Sequence, residues 1–191
     1  DLVRPKVFKE KFERFFPLKK AIIEKAYGMK VNLGPNEIMR VYSAYGKKLS
    51  KYLGDVATLV SRQIAKRAFL FEQAHGTMLD PVFGTYPYTV APPTIGSAVF
   101  PSVGIGSREM PILGVVKAYT TRVGNGPFPT EIQGTLGERI RQKGGEFGTV
   151  SKRPRRVGWL DVPMLRYAVA RNGCTTLAVT KLDVLSELSS I

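Results

Sequence analysis

The sequence predicts an α/β fold in which a helical N-terminal segment precedes a mostly parallel sheet. Up to about Lys66, apolar residues recur at the spacing of helices. From Ala68 onward, short apolar runs alternate with loops rich in Gly and Pro, as in domains where strands and helices alternate. We therefore predict two parts, a helical segment over residues 1–67 and an α/β portion over residues 68–191.

Three helices are predicted in the first part. A basic helix precedes Pro17, and a second helix begins at Pro35, which fits a first helical turn because the N–H it lacks has no partner there. A third helix is predicted from Val56 to Lys66. The second helix carries one apolar stripe, whose tyrosines we expect in the core. The stripe consists of Ile38, Val41, Tyr42, Tyr45, Leu49, Tyr52 and Leu53.

Three apolar runs in the second part predict buried strands, at residues 68–71, 113–116 and 176–179. A helix is predicted between the last two, from Pro163 to Asn172, with Gly173 as its C-terminal stop. Ligands of parallel sheets bind at the carboxyl ends of strands, so the polar loops at these ends are the candidate site.

Composition narrows the class of protein. The chain has 191 residues, 43% of them hydrophobic, which is enough for a globular core. No run of 18 or more apolar residues occurs, so no membrane span is expected. The single cysteine, Cys174, excludes an intrachain disulfide and is typical of a reducing cytoplasm. One Cys and one His cannot form a zinc site of the usual spacing.

The net charge of +14 supports an alternative from a different class, a basic module that binds nucleic acid. Its basic residues are spread along the chain, many of them on the predicted helices, apart from one cluster at Lys152 to Arg156. An even spread is typical of solvated helix surfaces. Nucleic-acid binding is therefore the less favoured hypothesis.

Four segments together resemble the adenylosuccinate synthetase family. They are FEQAHGTMLDPVFGTYPY from Phe71, KAYTTRVGNGPFPTE from Lys117, SKRPRRVGWLD from Ser151 and TKLDVL from Thr180. Each alone is a weak signal, but their order and distances match the family from Phe71 to Leu185. The resemblance implies a P-loop-like GTP-binding ligase, a cytoplasmic homodimer that uses GTP and Mg²⁺ to join L-aspartate to inosine monophosphate (IMP) in purine biosynthesis.

The family's phosphate loop, of the form GDEGKGK, does not occur in this sequence. We therefore expect the chain to be the middle of a longer enzyme and to be inactive alone. The resemblance implies that the general base Asp, the general acid His and the Mg²⁺ ligands precede Asp1. No catalytic and no metal-binding residue is assigned within the chain.

The resemblance implies three sets of binding residues. The IMP-binding set is His75, Thr89, Val90, Val123 and Arg153. The aspartate-binding set is Thr149, Val150, Ser151, Lys152, Arg153 and Arg155. The GTP-binding set is Arg155, Lys181, Leu182 and Asp183. Arginine suits a dicarboxylate because its planar fork grips two oxygens, and a carboxylate can accept hydrogen bonds from both edge donors of guanine.

Several positions depart from the family pattern. His75 stands where the family usually has Gln, and Val90 stands where a Thr contacts the nucleotide, with Thr89 one place away. In the arginine loop, Val150 and Lys152 replace Thr and Gly. These departures leave open a paralogue that acts on another purine monophosphate.

Overall fold

The computed structural model describes residues 1–149 and 152–188. The chain divides into two compact units, Asp1–Val56 and Ala57–Ile191. This division falls eleven residues before the predicted boundary between 67 and 68, and the predicted parts stay a prediction. Within the described residues, no helix has the length and apolar content needed to cross a bilayer.

The first unit contains helices α1 (Pro5–Ala26) and α2 (Pro35–Leu49), and α2 continues into a 3₁₀ turn at Ser50–Tyr52. Helix α1 passes through Pro17, so the expectation that the basic helix ends before this proline is wrong. Proline inside a helix removes a hydrogen bond and costs about 3 kcal/mol. Phe8, Phe12 and Phe16, before Pro17, and Ala21, after it, are half-buried.

The predicted apolar stripe lies on α2 from Ile38 to Leu49, whereas Tyr52 lies in the 3₁₀ turn and Leu53 lies beyond it, and most of the stripe is not core within the described chain. Ile38 and Val41 are half-buried. The tyrosines are exposed, with Tyr42 at 46% and Tyr45 at 49%, and Leu49 is exposed at 47%. The spacing therefore predicted the helix correctly, whereas the burial expected for its tyrosines is wrong for the described chain.

The second unit contains four helices and four strands among its described residues. The helices are α3 (Val56–Gln63, beginning one residue before the unit), α4 (Val99–Val103), α5 (Gly134–Gly144) and α6 (Val162–Asn172). The strands are β1 (Leu113–Lys117), β2 (Thr120–Arg122), β3 (Arg156–Gly158) and β4 (Thr176–Thr180). Helix α6 begins at the cap Asp161, whose carboxylate accepts from the Met164 amide, and Gly173 ends it in the left-handed conformation.

The strands form two separate pairs. Strands β1 and β4 are parallel, with Leu113 opposite Thr176 and Lys117 opposite Thr180. Strands β2 and β3 are antiparallel. The α/β class and the parallel β1–β4 pair agree with the prediction, but a mostly parallel sheet is not confirmed, since the described residues contain only one parallel pair.

The predicted strand at residues 68–71 is wrong. The segment has no regular secondary structure, and Leu70 is 97% exposed. An extended segment becomes a strand only where a neighbouring strand pairs with its backbone, and no described strand lies beside this one. An apolar run alone does not supply that partner.

The core of the second unit lies beneath the loops that follow β1 and β4. It is formed by the buried residues Ala118, Tyr119, Ile140, Val157, Val184 and Leu185. Helix α5 packs against β3 and contributes Ile140. The loop after β1 and the turn after β4 are thus anchored in one cluster, which fixes the edge of the sheet where ligands are expected.

Asp80 anchors a long loop in the same unit. Its Oδ1 accepts from the amides of Val82 and Phe83 at 2.9 and 3.0 Å, and its Oδ2 accepts from the Thr94 amide at 2.7 Å. Burial alone raises the pKa of this carboxyl, but the backbone donors of Thr94, Phe83 and Val82 outweigh it and hold the pKa below its ordinary value of 3.8. The ionised carboxylate therefore stabilises the loop.

We predict that Asp80→Asn destabilises the protein, because its amide NH₂ would face a backbone N–H. The expected loss is about 1.5–3 kcal/mol near neutral pH, the range for a hydrogen bond to a charged group. Since the folded pKa is lowered, the advantage of wild type is complete above the ordinary carboxyl pKa and is lost as pH falls through the folded value. Urea unfolding at several pH values measures both effects.

The matched control is Asp161→Asn, since Asn is as good a helix cap as Asp and keeps the bond to the Met164 amide. It should cost less than about 0.5 kcal/mol, as surface changes usually do. Equal stability of Asp80→Asn and wild type would contradict the anchoring role.

Candidate functional site

Four predicted nucleotide-binding residues line one cleft. The cleft has a volume of about 440 Å³ and contains His75, Thr89, Val90 and Val123 in its walls. Three further residues, Leu79, Tyr88 and Asn125, complete the lining. The volume and the mixture of apolar walls with a few polar groups suit a small organic ligand.

Arg122, at the end of β2, ties the two walls of this cleft together. Its Nη2 donates to Thr85 Oγ1 at 2.8 Å and to the Tyr88 carbonyl at 3.3 Å, and its Nε donates to the Asn125 carbonyl at 3.0 Å. Gly126 makes room for it, because a Cβ there would lie 2.3 Å from Arg122 Nη2. Burial, followed by the nearby charge of Arg156, lowers the pKa of Arg122.

Arg156, on β3, holds the turn that follows Val123. Its Nε and Nη2 donate to the two carboxylate oxygens of Glu131 at 2.8 and 2.5 Å, and its Nη1 donates to the Gly126 carbonyl at 2.9 Å. The two-point pair with Arg156 lowers the pKa of Glu131, and the same pair raises that of Arg156. This ion pair therefore fixes one wall of the cleft.

The arginine loop is a closed hairpin-like turn. The Arg155 amide donates to the Glu146 carbonyl and the Gly148 amide donates to the Arg153 carbonyl, both at 2.9 Å. Thr149, Lys152 and Arg153 are exposed at its tip. Val150 and Ser151, predicted to contact aspartate, lie outside the described residues.

Glu146 is the centre of a buried polar cluster beneath this loop. Its side chain is 2% exposed. Oε1 accepts from Lys117 Nζ at 2.6 Å and from the Tyr119 hydroxyl at 2.7 Å, and Oε2 accepts from Arg155 Nη1 at 2.9 Å. Burial raises the pKa of Glu146, but the hydrogen bonds from Lys117, Tyr119 and Arg155 prevail and lower it. Burial and the adjacent Glu146 carboxylate raise the pKa of Tyr119.

The turn after β4 presents the predicted GTP-binding residues beside this cluster. Lys181 Nζ donates to the Gly144 carbonyl at 3.0 Å, two residues before Glu146. Leu182 and Asp183 are exposed, while Val184 and Leu185 are buried at 5% and 2% and anchor the turn. After burial and the Glu146 carboxylate, the charge of Asp183 also raises the pKa of Tyr119.

Three non-glycine residues have a left-handed backbone in the described part of the chain. They are His75 at φ 68°, Lys152 at φ 54° and Lys181 at φ 62°. This conformation is uncommon for residues with a Cβ and costs about 1–2 kcal/mol. One lies in each predicted binding loop, and strained backbone of this kind clusters at functional sites.

The predicted residues thus fall into two groups in space. His75, Thr89, Val90 and Val123 surround the cleft. Arg155 donates to Glu146 and Lys181 donates to the Gly144 carbonyl, so the arginine loop and the turn after β4 both contact the segment that carries Glu146. Arg153 is not among the residues that line the cleft, and its predicted contact with IMP stays a prediction.

Sequence reasoning missed the residues that hold the predicted ones in place. Arg122 and Glu131 stand within the quoted segment from Lys117 to Glu131, and Glu146 precedes the arginine loop. The signal for Glu146 was its isolation as an acid in the basic stretch from Arg139 to Arg156, because a buried charge needs a partner of opposite sign. Glu131 stands in an uncharged stretch and offers no such signal. No such local signal distinguishes Arg122.

A resident metal ion has no site in the described residues. They contain no group of three or more His, Cys, Asp or Glu side chains that could hold one. Mg²⁺ therefore stays a prediction from the family resemblance.

The chain resembles proteins of known sequence along its whole length. It is 44% identical to adenylosuccinate synthetases of Thermodesulfovibrio yellowstonii and Clostridium acetobutylicum, over 193 aligned residues that cover 100% of this chain and 45% of each relative. The chain therefore spans about 45% of the length of these curated relatives.

Solved structures agree. Fully ligated adenylosuccinate synthetase from Plasmodium falciparum matches with a TM-score of 0.87 and 36% identity, over 98% of this chain and 43% of that one. Succinoaminodeoxyadenylate synthetase of cyanophage S-2L matches with a TM-score of 0.54 and 22% identity, over 64% of this chain and 38% of that one, which shows a shared fold. The family profile for adenylosuccinate synthetase matches residues 1–191, and the chain belongs to the adenylosuccinate synthetase family.

Proposed function

We propose that this chain is the substrate-gripping part of a GTP-dependent ligase that joins L-aspartate to IMP. In that reaction GTP phosphorylates the 6-oxygen of IMP, and the amine of aspartate then displaces the phosphate. Family membership over the whole chain supports the reaction class. The chain spans about 45% of its relatives, so the activity belongs to the complete protein.

The observation that carries the proposal is the left-handed backbone at His75, Lys152 and Lys181. These residues belong to three loops far apart in the sequence, and each loop carries one of the predicted ligand sets. A protein keeps such strain where the surrounding structure holds a binding geometry in place. Its coincidence with the three predicted loops supports a site for three ligands.

The proposed chemistry of this chain is positioning and electrostatics. The cleft around His75 takes the purine monophosphate, the arginine loop grips the two carboxylates of aspartate, and Asp183 accepts from the guanine edge. Holding two reactants in line can contribute about 7–11 kcal/mol to lowering a barrier. Cations fixed near developing negative charge add to that effect.

The remaining features of the enzyme are proposed from the family resemblance. The general base, the general acid and the ligands for Mg²⁺ are expected outside this chain, so residues 1–191 alone should be inactive. A homodimer and a cytoplasmic location are expected on the same ground. The family assignment also favours the ligase over a nucleic-acid-binding module. The nucleic-acid hypothesis is supported only by the net charge of +14.

A ligase acting on another purine monophosphate is the second candidate, because Val90 lines the cleft without a hydroxyl. Thr89 lines the same cleft and offers one, which favours IMP. The cyanophage protein that shares the fold is bound to dGMP in its solved structure. Assaying the complete enzyme with IMP, GMP and dGMP, each with aspartate and GTP, decides between them; product from IMP alone supports the proposal, and preference for GMP or dGMP contradicts it.

In the complete enzyme, Arg153→Lys should weaken aspartate binding. Lysine keeps the charge but loses the planar fork. The KM for aspartate should rise about tenfold or more, equivalent to 1.4 kcal/mol or more, while that for GTP changes little. Arg155→Lys should raise both KM values, because Arg155 is proposed to bridge aspartate and GTP.

The control for these variants is Arg166→Lys, an exposed arginine on α6 outside the predicted loops. Its kinetics should match wild type. If Arg153→Lys has the same aspartate KM as this control, the arginine loop does not bind aspartate.

Asp183→Asn should change the choice of nucleoside triphosphate. The amide NH₂ faces the 2-amino group of guanine unfavourably but can bond the 2-oxo group of xanthine. A lost charged hydrogen bond of about 1.5–3 kcal/mol lowers kcat/KM for GTP by about 10- to 100-fold, and xanthosine triphosphate becomes the better donor. The control is Glu187→Gln, which changes an exposed acid four residues away and should leave the GTP preference unchanged. If Asp183→Asn also leaves the GTP preference unchanged, guanine is recognised by other residues.

Lys152→Gly should relieve strain in the arginine loop. Glycine adopts the left-handed conformation without a Cβ penalty, whereas Lys152→Ala keeps that penalty. The glycine variant should be at least as stable as wild type and about 1 kcal/mol more stable than the alanine variant. Thermal unfolding of the three proteins measures this, and equal stability of the glycine and alanine variants would show that φ at this position is not constrained in solution.

A further inference from the structure

Two adjacent arginines on one extended segment turn to two different acids. Arg155 directly precedes β3 and Arg156 is its first residue. Successive side chains of extended backbone point to opposite sides. Arg155 meets Glu146 on one side, and Arg156 meets Glu131 on the other. Each of the two neighbouring guanidinium groups therefore has its own carboxylate partner.

The contact with Glu146 controls the direction of the Arg155 guanidinium. Nη1 donates to Glu146 Oε2, whereas the buried Nε has no hydrogen-bond partner among the described residues. The Arg155 carbonyl accepts from Arg141 Nε at 2.8 Å, a contact that holds the backbone and not the guanidinium. The orientation of the guanidinium thus depends on the Glu146 carboxylate.

Glu146 is itself held rigidly. Lys117, at the carboxyl end of β1, and Tyr119, in the core, occupy its other oxygen. Its side chain is 2% exposed, so water does not compete for these bonds. Because Glu146 is bonded to Lys117 at the end of β1, it holds the Arg155 guanidinium close to that edge of the sheet.

The contact with Glu131 controls the cleft. It engages two nitrogens of Arg156, and this leaves Nη1 directed at the carbonyls of Gly126, at 2.9 Å, and Gly124, at 3.4 Å. The Phe128 ring lies 5.3 Å from the guanidinium carbon and limits its movement. The turn thus fixed carries Asn125 in the wall of the cleft, next to Val123.

We propose that Glu146 and Glu131 are positioning residues with separate tasks: Glu146 aims Arg155 at aspartate and GTP, and Glu131, through Arg156, shapes the cleft for the purine monophosphate. This inference rests on the proposed function for the identity of the ligands. The Glu146 carboxylate is buried, and a buried ion pair contributes little net stability compared with apolar packing. The Glu131–Arg156 pair is partly exposed, and such pairs also contribute little, so both pairs favour a role in orientation.

The test uses Glu146→Gln and Glu131→Gln in the complete enzyme, each the matched control of the other. Glutamine keeps the size and one acceptor oxygen but loses the charge. Glu146→Gln should raise the KM for aspartate about tenfold or more, equivalent to 1.4 kcal/mol or more, and leave the KM for IMP within about twofold. Glu131→Gln should raise the KM for IMP and leave that for aspartate within about twofold. Equal changes in both KM values in both variants, or no change, would overturn the inference.

A double variant tests whether Glu146 acts through Arg155. In the Arg155→Lys enzyme, adding Glu146→Gln should change the aspartate KM little, because the group that Glu146 positions is already gone. If the two changes instead raise the aspartate KM by the product of their separate factors, the inference is contradicted. If Glu146→Gln does not fold, Glu146→Asp, which keeps the charge but shortens the reach, replaces it with the same expected direction.

A second measurement separates this inference from the proposed function. Phenylglyoxal labels arginines that are not held by a partner, and mass spectrometry distinguishes Arg155 from Arg156. Glu146→Gln should increase labelling of Arg155 several-fold and leave Arg156 unchanged, and Glu131→Gln should do the reverse. Unchanged labelling overturns the inference whatever the activity. A wild-type enzyme that does not join aspartate to IMP overturns the proposed function and its ligand assignments. If wild type is active but Glu146→Gln does not raise mainly the aspartate KM, and Glu131→Gln does not raise mainly the IMP KM, only the inference is overturned.

Discussion

The buried carboxylate of Glu146 is the interaction on which the candidate site depends. It accepts from Lys117 at the end of β1, from Tyr119 in the core and from Arg155 in the arginine loop. Three parts of the chain thus share one acceptor in a region of low dielectric, where an unmatched charge is costly. Movement of the arginine loop away from the sheet edge would remove the Arg155 donor from this buried carboxylate, which disfavours such movement.

The exposed residues that we propose as ligand contacts lie within a few residues of anchored ones. Asp183 is exposed, yet Val184 and Leu185 beside it are in the core. Lys152 is at the tip of its loop, while Arg155 returns to the buried cluster. A short distance between anchor and tip limits the motion of the tip, so binding of the proposed ligands would cost little conformational entropy.

The parallel β1–β4 pair positions the site without supplying much core. Val115 is 71% exposed and Val179 is 48% exposed, whereas parallel sheets are usually covered on both faces. The buried residues instead lie around Tyr119, Val157 and Leu185, at the carboxyl edge of the pair. Packing in the described chain is therefore concentrated where the proposed ligands bind.

The sequence by itself determined the elements and loops whose signals are local. Helix α6 followed from its proline and its terminal glycine, and the candidate binding loops followed from short motifs in a fixed order. Only the tertiary structure decided which acid pairs with which arginine, because Glu131 and Arg156 are 25 residues apart and meet through the fold. The tertiary structure also decided that residues 68–71 form no strand, because a strand requires a partner strand and an apolar run does not show whether one is present. Local signals report what a segment prefers, whereas pairing depends on what the rest of the chain brings beside it.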